Sequence, residues 1–479
     1  MRTDSLSSPQ PAVAATPPRR ALPKGWWRRL RLTAQLLFLG LLLLPLAGVP
    51  WFTGTFVSSR FVGFELTDPF AAAQVLVAGG ALAGGALLVL LLYLLLGRAF
   101  CSWVCPLGTL LEWLDHLPME RIARRSSLRR GVRWALALGL LGAAALLGIA
   151  LFEWISPQAT LMRMLLFGAG AEALILALVI SLDLFVLRRG WCRSVCPAGA
   201  AFSLLGRVAL LRVGHDREAC NRCANCVQAC PMDGRQTLLE TVSGRGPASS
   251  DPWVCTNCGL CIDACDRGAL RFQPAWAIGT PVAEAPKRSR LSGYDRRQAL
   301  TLLGGAVAVA GLSVARPLLA APEERPLLRP PGALPEAAFL GLCLRCGQCA
   351  QACPRGSIKL GHIQHGLSLG TPYIEARENA CDLCRECVPP CPTGALTLEP
   401  EAPIRMGTAV IDTDRCLTYR GDVCRSCFVA CPLQGTAIVL EGAIRPAVNP
   451  ELCTGCGLCE QHCIMEPAAI VVRPVNEHA

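Results

Sequence analysis

The sequence predicts a multidomain chain: an α-helical membrane domain that carries small α+β domains built around cysteine. Three observations predict this. Hydrophobic residues make up 52% and charged residues 17% of the 479 positions, with a mean hydropathy of +0.40, so part of the chain is expected in lipid. Four apolar runs lie at about 32–50, 75–97, 132–152 and 170–187. Each approaches the roughly 20 residues that a helix needs to cross the hydrocarbon core. The 28 cysteines fall into six quartets and two pairs, with none left over. Length alone points to about three domains. A net charge of +11 raises the possibility of a polyanion partner. The arginines cluster beside the apolar runs, however, and no nucleic-acid-binding motif is present, so no nucleic-acid partner is expected.

Residues 1–31 form an N-terminal basic segment containing Arg19, Arg20, Lys24, Arg28, Arg29 and Arg31. Residues 32–205 form the membrane domain. Any one apolar run could be a buried core helix, but four with few internal charges favour spans. Their orientation follows from the basic residues between them. The stretches of about 51–74 and 153–169 hold one each, Arg60 and Arg163. The stretch of about 98–131 holds Arg98, Arg121, Arg124, Arg125, Arg129 and Arg130, and Arg188 and Arg189 close the fourth run. The N-terminus, the long middle stretch and the chain after the fourth run are therefore expected in the cytoplasm.

Two matching sequences follow the second and fourth runs: Cys101-Ser-Trp-Val-Cys105-Pro106 and Cys192-Arg-Ser-Val-Cys196-Pro197. The repetition suggests an internal duplication. Four soft thiolates brought together would suit an iron–sulfur group or zinc; a redox dithiol and purely structural thiols are the alternatives. No histidine lies in the four runs and no C-x-x-C-H occurs, which disfavours haem. Asp183 lies inside the fourth run. An intramembrane carboxylate is a candidate functional group, here a proton acceptor, although pairing with Arg188 and Arg189 is an equally good account. Glu172 suits a helix N-terminus.

Residues 206–272 are expected to form the first cysteine module. Cys220, Cys223, Cys226 and Cys230 have the spacing C-x2-C-x2-C-x3-C before Pro231, and Cys255, Cys258, Cys261 and Cys265 repeat it before Asp266. This is the two-cluster bacterial ferredoxin run, in which the fourth cysteine ligates the other cluster. It assigns Cys220, Cys223, Cys226 and Cys265 to one [4Fe–4S] cluster, and Cys255, Cys258, Cys261 and Cys230 to a second. Zinc is the runner-up, but its four-cysteine sites use two separated C-x2-C knuckles. Disulfide frameworks do not repeat so regularly.

Residues 273–291 form an Ala/Pro-rich linker. Residues 292–321 hold the pair Arg296-Arg297 before a short Gly/Ala/Val run, which has the look of a twin-arginine export signal and would make a fifth crossing. A plain anchor with topogenic arginines is the alternative. Pro-rich residues 322–338 make a stiff spacer. Residues 339–474 carry four more quartets: Cys343, Cys346, Cys349 and Cys353; Cys381, Cys384, Cys387 and Cys391; Cys416, Cys424, Cys427 and Cys431; and Cys453, Cys456, Cys459 and Cys463. The third has seven residues between its first two cysteines. These sixteen thiolates suit four [4Fe–4S] clusters, paired either first with second and third with fourth, or first with fourth and second with third. Clusters are built in the cytoplasm, so a loaded module must cross folded, and the twin-arginine route handles folded cargo. The sequence leaves open whether the segment is cleaved; Leu319-Ala320-Ala321 is a weak match to a cleavage site.

The four runs, the stretch Gly63-Phe64-Glu65-Leu66-Thr67-Asp68-Pro69, both C-x3-C-P pairs and the first module resemble the NapH type of membrane ferredoxin (MauN-like). The Arg-Arg segment with four quartets resembles its partner, the NapG or MauM-like type. The resemblance covers nearly all of residues 25–470, as a fusion of two usually separate subunits. It implies a quinol dehydrogenase of the bacterial inner membrane, drawing electrons from quinol and passing them through periplasmic clusters to a c-type cytochrome and a terminal reductase, nitrate reductase in the best-known case. Six clusters are expected, two cytoplasmic and four periplasmic, with a further cluster or metal possible at the C-x3-C-P pairs. No nucleotide fingerprint of the G-x-G-x-x-G kind follows a strand, so the chain reads as a wire. Two other functions fit the motifs: an accessory electron donor for maturing a periplasmic enzyme, of the nitrous-oxide reductase or methylamine dehydrogenase type, and a conduit from a cytoplasmic donor without quinol chemistry.

Overall fold

The structure, a computed structural model, describes residues 23, 25–49, 51–80, 84–114, 131–170, 172–186, 189–232, 235–243, 249–278 and 327–475. The twin-arginine-like segment 292–321, most of the linker 273–291, the start of the linker 322–338 and Arg121–Arg130 lie outside the described residues. The chain divides into two compact units. One draws on Met1–Ala34, Tyr93–Trp103 and Ser203–Ser289; the other draws on Gln35–Leu92, Val104–Phe202 and Arg290–Ala479.

Among the described residues two helices are long and apolar enough to cross a membrane, Trp26–Ala47 and Gly84–Trp103. Two further apolar helices, Val132–Leu147 and Ala173–Phe185, are shorter than expected. Glycines account for several of the differences. The run at 75–97 is not one helix. Helix Pro69–Val77 ends before Gly79, whose φ is +94°, and the chain is helical again from Gly84. Gly48 (φ +68°) and Gly148 (φ +63°) close the first and third helices in the left-handed conformation that glycine adopts without a Cβ penalty. The fourth helix widens into a π-turn over Leu182–Val186, which contains the buried Asp183.

In the first unit, strands Leu211–His215 and Leu270–Pro274 pair antiparallel, with Val213 opposite Phe272. They bracket the short helices Asn225–Ala229 and Leu260–Asp263, each seated within a cysteine loop. Cys226 and Cys261 share a core with Val213, Val242 and Leu270. The loop of the second quartet is gripped by the end of helix Gly84–Trp103. Arg98, 1% exposed, donates to the carbonyls of Trp253 and Val254; Ser102 donates to that of Thr256, and Trp103 to that of Asn257. Arg31 donates to the Cys258 carbonyl at 3.0 Å. Capping these carbonyls with charged or ring N–H groups leaves few buried acceptors bare.

In the second unit, strands Phe52–Gly54, Ser58–Phe61 and Phe64–Thr67 form an antiparallel sheet. Asp68 then caps helix Pro69–Val77, accepting from the Phe70 and Ala71 N–H groups, with proline at the first helical position. Ser156 caps helix Pro157–Phe167 in the same way. The cysteine-rich region from residue 327 is built from three antiparallel strand pairs, the longest joining Gly407–Ile411 to Ile470–Pro474. Their inner faces meet the cysteine loops in one continuous core.

Gly455 shows how tightly that core is drawn. Its φ is +71°, and a Cβ there would lie 2.3 Å from the Gly407 nitrogen. Gly455→Val is expected to cost about 3 kcal/mol. Gly435→Ala, also at positive φ but facing open space, is expected to cost about 1 kcal/mol. Thermal unfolding of both variants, followed by visible absorbance, checks the difference.

Candidate iron–sulfur centres

The cysteine loops share one backbone device. In five of the six quartets the residues just before and just after the second cysteine are left-handed: Arg222 and Ala224, Asn257 and Gly259, Arg345 and Gly347, Leu383 and Arg385, Gly455 and Gly457. Two left-handed residues flanking one cysteine wrap the backbone around a central space and turn its N–H groups inward. Arg222, Asn257 and Leu383 each donate their N–H to the first cysteine of their own quartet, at 3.4 Å. Each non-glycine residue held in this conformation costs on the order of 1 kcal/mol, which suggests that something in the loop repays it.

The third quartet departs from the rule. Its inserted residues form a short helical turn, Leu417–Arg420, closed by Gly421 (φ +101°), while Arg425 stays at φ −135°. Tyr419 Oη donates to the Pro446 carbonyl and fixes the insertion on the hairpin formed by Ile438–Glu441 and Arg445–Val448. The quartet still delivers its first three cysteines to a common cavity.

Four cavities show which cysteines belong together. One is lined by Cys220, Cys223, Cys226 and Cys265. Another is lined by Cys381, Cys384, Cys387 and Cys353, a third by Cys416, Cys424, Cys427 and Cys463, and a fourth by Cys453, Cys456, Cys459 and Cys431. The remaining two sets follow from thiol neighbours. Burial, then Cys258, Cys255 and Cys230, pushes the Cys261 thiol well up. Burial also pushes Cys346 up to about 12, with Cys343 and Cys391 adding to it. Every set therefore takes three thiols from one quartet and the fourth from its neighbour. In the C-terminal region the first quartet pairs with the second and the third with the fourth, a choice that spacing left open.

The chemistry of these sets fits an iron–sulfur cubane. None of the 28 cysteines is paired in a disulfide. Among the described residues no three His, Cys, Asp or Glu side chains converge as they would on a single ion, whereas four sets surround a cavity. A cubane presents its four irons at separate corners and so takes thiolates spread around it. Burial, with crowding by like-charged neighbours, also pushes Cys226 and Cys427 up to about 11 and Cys387 to about 12. Such thiols ionise readily only against a cationic centre.

The C-x3-C-P pairs have a different local logic. Cys105 and Cys196 stand just before helices Pro106–Leu114 and Pro197–Val208, with proline as the first helical residue. The Gly199 N–H donates to Cys196 Sγ at 3.3 Å, as it would to an N-cap oxygen, and a helix N-terminus favours the thiolate. Cys192 lies in the π-turn Trp191–Val195. It shares an apolar cluster with Cys105; burial, then Asp183, Cys105 and Cys196, pushes it well up. Asp183 accepts the Trp191 N–H at 3.0 Å and so braces this turn. Cys101 lies on helix Phe100–Trp103, whose Ser102 and Trp103 hold the loop of the second quartet.

Sequence reasoning missed His215, which lines the first cavity with both ring nitrogens unpartnered. Burial, then Arg217, holds its pKa below the usual imidazole range. It also missed a buried charged group in the second unit: Asp68, Glu153, Arg163 and Arg345. Arg345, between Cys343 and Cys346, donates to the carbonyls of Cys343, Leu369 and Ala150. No spacing rule links these residues to one another, and only the fold collects them.

Comparison with known proteins agrees with the cysteine geometry. Models of a 4Fe-4S binding domain match residues 78–125 with 169–214, which include both C-x3-C-P pairs, and residues 446–465. Models of a 4Fe-4S dicluster domain match residues 212–266, 251–357 and 380–434. The chain is 35% identical over 278 residues to the ferredoxin-type protein NapH of Escherichia coli, spanning 54% of this chain and 96% of that protein. It is 41% identical over 187 residues to the ferredoxin-type protein NapG of the same organism, spanning 36% of this chain and 81% of that one. It is also 41% identical to the methylamine utilization ferredoxin-type protein MauM of Methylorubrum extorquens, spanning 38% of this chain and 89% of the relative. No solved structure matches.

The exchange of fourth cysteines has a direct test. Cys353→Ala and Cys384→Ala are expected to remove the same paramagnetic signal, with about four irons lost from each variant. Cys391→Ala and Cys346→Ala should both remove a different one. Iron quantitation with EPR of the reduced variants checks this, and a shared signal for Cys353→Ala and Cys346→Ala would reverse the assignment.

Proposed function

Since the chain belongs to the family of ferredoxin-type proteins named NapH and NapG, with both kinds joined in one polypeptide, we propose that this iron–sulfur electron-transfer protein is a quinol dehydrogenase. It would draw electrons from the membrane quinol pool and deliver them, through a c-type cytochrome, to a periplasmic reductase of the nitrate reductase type. The observation that carries this reading is the seat of the C-terminal module. It rests on segments 51–68 and 149–172, the two stretches whose poverty in lysine and arginine predicts the non-cytoplasmic side. Gln348 Nε2 donates to Ser58 Oγ at 3.0 Å, Trp154 Nε1 to the Gly366 carbonyl, and Leu344 joins a core with Val57, Ala71, Val75 and Ala159. A module fixed to segments beside apolar helices would be within reach of a lipid-borne donor, which supports the reading.

The topology is part of the proposal. Four spans are supported by the two long helices and by the two shorter ones, whose Leu138, Leu146, Leu174 and Leu178 are 64–79% exposed, as suits contact with lipid. The N-terminus and the first module would be cytoplasmic, and Arg296-Arg297 would direct the last crossing. Bound [4Fe–4S] groups would supply one-electron storage at the six cross-paired sets. Three further thiols, Cys105, Cys192 and Cys196, lie together in the second unit and would supply part of a seventh set. In this scheme Asp183 either accepts a quinol proton or holds the Cys192 turn, and its bond to Trp191 favours the second role.

The likeness to a methylamine utilization protein supports one other reading, an accessory electron donor for maturing a periplasmic enzyme. The two readings share the wire and differ in the acceptor.

Cluster-loaded protein is expected to be reduced by menadiol, seen as bleaching of visible absorbance and appearance of EPR signals. Clusters that stay oxidised at suitable potentials would refute the quinol reading. Replacing Arg296 and Arg297 together by lysine is expected to leave the C-terminal module protected inside spheroplasts, where the unaltered module is open to added protease.

A further inference from the structure

We propose that quinol is oxidised where segments 51–75 and 149–172 meet the first quartet of the C-terminal module, with Glu153 as the group that accepts its protons. The inference rests on the quinol reading above and assigns that reaction a place and a base. Oxidation of a hydroquinone needs a base within hydrogen-bond reach of its hydroxyls, an electron acceptor close by, and an apolar wall for the ring. One region of the second unit offers all three.

Glu153 is 2% exposed and follows the third apolar helix. The charged groups that face it come from every neighbouring element: Asp68 from the cap of helix Pro69–Val77, Arg163 from helix Pro157–Phe167, and Arg345 from the quartet loop. Arg163 also senses Glu172 and Cys343, and it lies against Gly370 of the C-terminal module. Burial and Asp68 raise the Glu153 pKa to about 8 despite both arginines. Asp68 is raised to about 6, and Arg163 is lowered to about 10. A carboxyl poised near neutrality can both take and release a proton.

The second observation is a set of buried polar atoms without partners. Glu153 Oε2, Gln158 Oε1, Thr55 Oγ1, Gln348 Oε1 and Glu172 Oε2 are all buried and unbonded among the described residues, and their residues are at most 4% exposed. Each such atom costs roughly 1–3 kcal/mol unless a ligand or water meets it. Five from segments that meet at one interface are better explained by a polar ligand than by a structural ion pair. Gln348 and Arg345 flank Cys346, so a ligand meeting these atoms would lie beside the loop of the first set. The apolar wall would come from the buried cluster of Val57, Ala71, Val75, Ala159 and Leu344, which joins the same segments. At the strand ends of the same segment Trp51, Val62 and Phe64 are 53–68% exposed, which suits the membrane interface through which a lipid-borne quinol would arrive.

The chemistry balances. The hydroquinone loses two hydroxyl protons and two electrons and leaves as the quinone. Cys343, Cys346, Cys349 and Cys391 would hold the iron–sulfur group, which would supply a one-electron acceptor for the two electrons taken in turn. Glu153 takes one proton per electron. The Glu172 and His362 pair, with Nδ1 3.4 Å from Oε1 and the histidine side chain 41% exposed, offers the way out to water.

The test uses the full-length, cluster-loaded protein with menadiol. A carboxyl acts as a base only when ionised, so the wild-type rate should rise about tenfold per pH unit below pH 8 and level off above it. Glu153→Gln should lower the rate at least 100-fold and flatten that limb, with iron content and EPR signals intact, whereas Glu153→Asp should restore part of both. Infrared difference spectra give a readout apart from turnover: a carboxylic acid band gained on menadiol addition should be missing in Glu153→Gln. If the wild type is reduced but Glu153→Gln keeps the rate, the limb and the band, the inference is overturned and the quinol reading stands. Loss of the limb in Asp183→Asn alone would also overturn it. A wild type that menadiol does not reduce overturns both.

Discussion

A loop that offers three thiols within seven residues cannot close around a four-cornered group, and this constraint governs the chain. The fourth thiol has to come from elsewhere, and in every set it comes from the neighbouring quartet. Each centre is thus a cross-link between two segments well separated in sequence, comparable to a structural metal that joins folding to binding. In both cysteine modules the strands are short and the sheets two-stranded, too small to be stable alone. The cysteines themselves make up much of the core in both modules. Iron content and fold are therefore one property here, and removing a single thiol should loosen two quartets together.

The same constraint explains which features could be read from the sequence. Which thiols lie together, with the fourth cysteines exchanged, was legible for the first module because C-x2-C-x2-C-x3-C carries its own geometry. The pairing of the four C-terminal quartets was not, since the gaps between them are alike. The cavities decide it by placing Cys353 with Cys381 and Cys463 with Cys416. Apolar runs gave the positions of the helices, but their lengths depended on single glycines such as Gly79 and Gly148. The group of Asp68, Glu153, Arg163 and Arg345 was illegible because its members lie up to 277 positions apart and follow no spacing rule.

The seat of the C-terminal module gives this group its interest. Interfaces between covalently joined parts are often polar and loosely held. Here one side chain, Arg345, bonds the first quartet's own Cys343 carbonyl and also the Ala150 carbonyl ahead of Glu153. The loop that would hold the first cluster is thereby fixed directly to the segment that bears the buried carboxyl. Separate subunits would have to form this contact by association. Joining them in one chain raises the effective concentration of the module at its seat, even across a long connection.

Fusion also bears on the third quartet, which keeps its four-thiol set but not the paired left-handed residues. The insertion in its loop ends in the exposed Val423, beside Cys424, and Val429 and Ile464 are exposed next to other ligands of the same set. At the first quartet the corresponding surface is buried against segments 51–68 and 149–172, where Gly347 meets Phe167. The two ends of the module therefore differ in a way that matters to a wire. On the quinol reading one end would be sealed onto its donor side by hydrogen bonds and a shared core, so no separate docking of subunits would precede electron transfer there. The other leaves apolar side chains open around its ligands. Brief docking of a soluble acceptor requires such a surface: apolar enough to bring centres close, and free of the buried ion pairs that would slow release. A departure from the loop rule is tolerable at that end, because the ligands of this set do not also have to bind the rest of the chain.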